Sequence, residues 1–176
     1  RQIEGAKSEQ SNVSKLAGEV DAKQTAFNSA TSDKAKAEKA VSDKKQAVST
    51  KEQSVKSLTT SKDVKQKQLD AATQNETKCS EAYDKAQEAT SAAQDDVTSA
   101  QNELNSATTD EAKAAAQAKL EKAQAKLEKA KAQEAKAKTA LDQATKDKEA
   151  AQEQLNKITE QLDKAQKELE TSKTEY

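Results

Sequence analysis

The chain has 176 residues, of which 35% are charged, 32% hydrophobic and only 2% aromatic, with no Pro, Trp, Met or His and with two glycines, Gly5 and Gly18. Such a chain holds too few bulky residues to fill a globular core of the kind most enzymes need, and almost nothing in it interrupts a helix. Lys plus Arg (30) nearly balances Asp plus Glu (31), so the chain lacks both the net charge that keeps a polar polypeptide expanded and the basic excess that drives binding to nucleic acid or anionic membrane.

The first element is announced by a seven-residue beat. Counting in sevens from Val13 gives Val20, Phe27, Lys34, Val41, Val48, Val55, Lys62, Leu69, Glu76, Tyr83, Thr90, Val97 and Leu104. A second row follows three residues later: Leu16, Lys23, Ala30, Ala37, Lys44, Lys51, Leu58, Lys65, Ala72, Cys79, Ala86, Ala93, Ala100 and Ala107. In each row ten of the fourteen positions are apolar. These are the a and d positions of a heptad, the stripe that one helix buries against another. Two polar clusters, at 28–33 and 59–63, resemble turns, but the heptad phase survives both, so a continuous helix is expected through them.

The phase changes once. Glu111 and Leu120 are nine residues apart rather than seven, a shift of two that moves the stripe to another face. The polar string 105–111 lies at this break, and Ser, Thr, Asn and Asp favour caps over helix interiors. Thr108 followed by Glu111 has the spacing of a capping box. The pattern predicts arm one over about residues 1–107, a turn at about 108–110, and arm two over about 111–176. In arm two Leu120, Leu127, Leu141, Leu155, Leu162, Leu169 and Tyr176 occupy a, interrupted by Glu134 and Lys148. Ala123, Ala130, Ala137, Ala144, Ala151, Ile158 and Ala165 occupy d.

The expected fold is therefore all-α: one elongated coiled-coil region over 1–176, folded as an antiparallel helical hairpin. Arm two would lie beside about residues 41–107. Residues 1–40 are left to pair with a continuation of the chain, with another copy, or with themselves if 28–33 is a turn. With Val and Leu concentrated at a and Ala at d, every second layer is expected to be small. Lys34, Lys44, Lys51, Lys62 and Lys65 dilute the stripe, their stems lying on the seam and their ammonium groups reaching solvent, so 34–65 should be its weakest stretch.

No residue constellation speaks for catalysis, a cofactor or a metal. Histidine is absent, there is no glycine-rich phosphate loop, and the carboxylates are interleaved with lysines as on solvated helix faces. No catalytic, cofactor-binding or metal-binding residue is assigned, and the chain is not expected to be an enzyme. The single cysteine, Cys79, reads as a small seam residue at d, or as a disulfide across a parallel homodimer. Tyr83 reads as a seam residue. Asn12-Val13-Ser14 and Asn75-Glu76-Thr77 match the N-glycosylation pattern but are frequent chance matches in a Ser/Thr-rich chain. No apolar run approaches the roughly eighteen residues of a membrane span, so membrane insertion is not expected. A start at Arg1 rather than Met is what a processed product or an excised fragment would show.

The segments DEAKAAAQAKLEKAQAKL at 110–127 and AVSDKKQAV at 40–48 resemble the alanine- and lysine-rich coiled-coil stalks of Gram-positive cell-wall-anchored surface proteins, of the surface-exclusion and adhesin type. The resemblance implies an extracellular, wall-attached stalk that projects a separate binding or functional domain. Its expected partners are proteins: itself, another coiled-coil segment, or a host or cell-surface protein. Two other functions compete, a coiled coil that itself binds a host or partner protein, and a desiccation-protective chain that is helical only on drying.

Overall fold

A computed structural model describes residues 1–175; the a-position reading of Tyr176 lies outside the described residues. Two helices account for nearly all of them, α1 over Gln2–Ser106 and α2 over Asp110–Glu175, and no strand occurs among the described residues. They form the antiparallel helical hairpin that the phase break predicts. α1 runs without interruption through Gly5, Gly18 and both polar clusters. The hydroxyl of Thr31 shows how the first cluster stays helical: it donates to the Phe27 carbonyl one turn back at 2.9 Å, so it does not compete with the helix for a new backbone partner. With no turn at 28–33, residues 1–40 do not fold back on α1.

The connection is Ala107–Thr109, within the segment predicted to turn. Its chemistry differs in one respect from the sequence reading. The N-cap of α2 is Thr109, not Thr108: its hydroxyl accepts from the Ala112 amide at 3.1 Å, and its carbonyl accepts the first intrahelical bond from Lys113 at 2.9 Å. The residue three beyond the cap is then Ala112, so the capping box expected from Thr108 and Glu111 does not form. Asp110 and Glu111 instead stand in the first turn, where negative charge is favoured by the partial positive charge of the helix start.

By contacts the chain divides into two units. One comprises Ser57–Asp163, and its ion pairs and hydrogen bonds across the helices fix the antiparallel sense: Lys65 to Gln154, Lys148 to Glu76 and Lys119 to Glu103. Of the buried positions of α2 here, Leu120, Leu127, Ala130, Ala144, Leu155 and Leu162 fall on the predicted a and d rows, and Ala116 lies one heptad ahead of the d row. So do Leu69, Ala93 and Ala100 of α1. Ala93, a d residue of α1, packs with Leu127, an a residue of α2, with Val97 alongside. In an antiparallel pair, therefore, a faces d. Stepping by sevens in opposite directions sets Ala100 against Leu120 and Cys79 against Leu141. The expectation of alternating thick and thin layers assumed like facing like; with a against d, a large residue meets a small one in layer after layer.

The other unit joins residues 1–56 to the end of α2 from Lys164 onward. Leu169 and Ser172 are buried, and Val48, Lys51, Val55 and Ala165 are half-buried. The Lys51 ammonium donates to the Ser172 hydroxyl, and that of Lys44 donates to the Glu175 carbonyl at 3.3 Å. Every residue before Val48 is exposed.

Candidate functional site

The seam contains one polar contact that the sequence reading did not anticipate. Glu76 and Lys148 interrupt the a rows of their respective helices, and the hairpin brings them together at 3.3 Å, their side chains 25% and 40% exposed. Each blemish in the apolar pattern thus answers the other. A signal existed in the sequence: two opposite charges, both at a, one on each arm. Ala116 and Ser172, both buried, extend the d row of α2 by one heptad at each end and were also missed. A polar residue at Ser172 carries no apolar signal, and Ala116 precedes the first leucine of its row.

The lysines of the seam behave as their stems allow. Lys51, Lys62 and Lys65 are half-buried, and Lys51 and Lys65 end on Ser172 and Gln154. Outward faces carry local pairs such as Lys39 to Asp43 at 3.1 Å, Lys131 to Glu128 at 3.8 Å and Lys157 to Glu153 at 3.8 Å. These pairs are solvated and each contributes a few tenths of a kcal/mol or less.

Cys79 is a free thiol, half-buried at its d position, and Tyr83 is half-buried on the same stripe. Both lie in the seam with α2, as seam residues should. A disulfide between identical d positions of two parallel chains would need that same face, which α2 already covers. Asn12 and Asn75 are exposed helical residues.

Concavities on the molecule are open grooves beside the seam. One has Ala100 and Ala123 at its floor and Asp96, Glu103, Lys119 and Lys126 around it. Such a groove is open to water along its length. Among the described residues, no three His, Cys, Asp or Glu side chains gather where they could hold a metal ion. Nor, among the described residues, is any helix long and apolar enough to cross a membrane.

The feature that stands apart is the seam stripe where α2 is absent. Val13, Leu16, Val20, Phe27 and Val41 continue the a and d rows, yet are between 55% and 66% exposed. Within the described part of the chain nothing covers them. From Val48 onward, by contrast, the large apolar residues enter the seam, Val64 excepted.

Comparison with protein-family models, with curated proteins and with solved structures gave no match to this chain.

Proposed function

We propose that this chain is a coiled-coil spacer of an extracellular, wall-attached surface protein, without catalytic activity of its own, which holds a separate binding or functional domain at a distance. The observation that carries this reading is how the residues of the hairpin are used. From Val48 onward the large apolar side chains, Val64 excepted, are spent on joining α1 to α2, and the outward faces carry solvated charges in short-range pairs. Such surfaces offer a partner no desolvated anchor, and binding energy normally concentrates in such anchors.

Removal of matched heptads tests the reading. Deleting residues 86–92 together with 128–134 keeps a facing d, and should bring an attached domain closer to the base by about 10 Å. The affinity of that domain for its ligand should be unchanged. Loss of binding while the attached domain stays folded and accessible would overturn the spacer reading. A second reading, in which the helices themselves bind a protein, is favoured by one observation only, the uncovered stripe from Val13 to Val41.

A further inference from the structure

We infer that the uncovered stripe of α1 is an interface between two copies of this chain, which pair antiparallel about a two-fold axis passing near residues 21–22. The inference does not rest on the spacer reading.

The stripe continues an interface already present. The same a and d rows that bind α2 from Val48 onward extend toward the start of α1, where Val13, Leu16, Val20, Phe27 and Val41 lie exposed. In the chain's own seam a faces d, large faces small, and an acid at one interruption meets a base at another. A second copy laid antiparallel over the stripe keeps two of these rules, a against d and acid against base, and joins its two largest side chains in one layer. Setting Leu16 of one copy against Phe27 of the other puts Val13 against Ala30, and Glu9 against Lys34. The axis repeats each contact, so the Glu9–Lys34 match occurs twice. Val20 then faces the stem of Lys23, the arrangement that Lys51 and Lys65 already adopt toward α2.

Other arrangements fail on the same residues. Slipping the copies by seven residues sets Glu9 against Phe27 in one direction and against Val41 in the other, which leaves a carboxylate, whose short stem reaches water less readily than that of a lysine, facing an apolar residue. A parallel, in-register pair stacks Glu9 on Glu9, Lys23 on Lys23 and Lys34 on Lys34, and like charges in a seam oppose association.

The test uses the 176-residue chain. Sedimentation equilibrium should report a dimer, and a chain still monomeric at about 0.1 mM, where weak pairs are already populated, would overturn the proposal and leave the stripe to another occupant. Spin labels, in a Cys79→Ser background, then report the orientation. Labels at Ala22 of the two copies should be close, whereas labels at Lys36 should lie about 44 Å apart along the axis. Short distances at both sites would mean a parallel pair and would refute the inference. Glu9→Lys and Lys34→Glu should each weaken self-association about tenfold or more. Mixing the two variants should restore it, because each mixed pair again opposes Glu to Lys at both sites. Variants that are as helical as the parent but associate as tightly alone as when mixed would show that these charges do not face each other.

Discussion

The layer in which Ala93 faces Leu127 offers the sharpest test of how the two helices meet. Leu127 is 6% exposed and Ala93 3%, so the pair fills its layer with one large and one small side chain. Burying a leucine stabilises by about 1.5–3 kcal/mol, and truncation in a compact core costs about 2–5 kcal/mol. A two-helix seam has water on both flanks, which admits solvent to the gap and holds the cost of Leu127→Ala near the low end, about 2 kcal/mol. Ala93→Leu brings a second leucine into a layer that already holds one, and such overpacking costs about 1–3 kcal/mol. If the two effects were independent, the double variant would lose about 4 kcal/mol. Exchanging the residues across the layer conserves its volume, so the double variant should lose about 1 kcal/mol or less, a coupling of about 3 kcal/mol. Urea titrations followed by far-ultraviolet circular dichroism, at one fixed protein concentration, measure all four corners of the cycle. Additivity within about 0.5 kcal/mol would refute the a-against-d register, since Ala93 and Leu127 would then not share a layer.

The turn and the polar contact yield two further expectations. Thr109→Ala should destabilise the hairpin by about 1 kcal/mol through loss of the hydroxyl cap, while Thr108→Ala should stay within about 0.5 kcal/mol; equal effects in the same titration would move the cap. Lys148→Glu sets a second carboxylate beside Glu76 and should cost about 1 kcal/mol after solvent screening. The exchange Glu76→Lys with Lys148→Glu should recover most of that loss, and a failure to recover would mean that the two groups do not pair in solution.

Much of this fold could be read from the heptads because burial and periodicity are the same information for a two-helix seam. Leu120, Leu127, Leu155, Leu162 and Leu169 are buried where the a row places them, and the phase break falls at the connection. What escaped reading depended on the partner helix. Whether a faces a or d is a property of orientation, not of either row alone, so the pairing of large with small could not be seen in Ala93 or Leu127 separately. Choosing Thr109 over Thr108 as cap turns on one residue of helix phase, and adjacent threonines carry the same local signal. The stripe at Val13–Val41 was legible as a seam, and the structure adds that its side chains are exposed among the described residues.

The uniform layering has a consequence for how such a hairpin keeps its alignment. Because large meets small in layer after layer, sliding one helix past the other by seven residues returns nearly the same apolar contacts. The hydrophobic seam is therefore degenerate: it specifies the phase of the pairing but cannot count heptads. The tally is kept by the short connection at Ala107–Thr109 and by unlike groups that recur nowhere else in phase, above all Glu76 with Lys148. A gain or loss of seven residues in one arm alone would leave the hydrophobic contacts satisfied while separating that pair. Length in this architecture is consequently free to drift in steps of seven, and the few charges inside the seam are its memory of which step it is on.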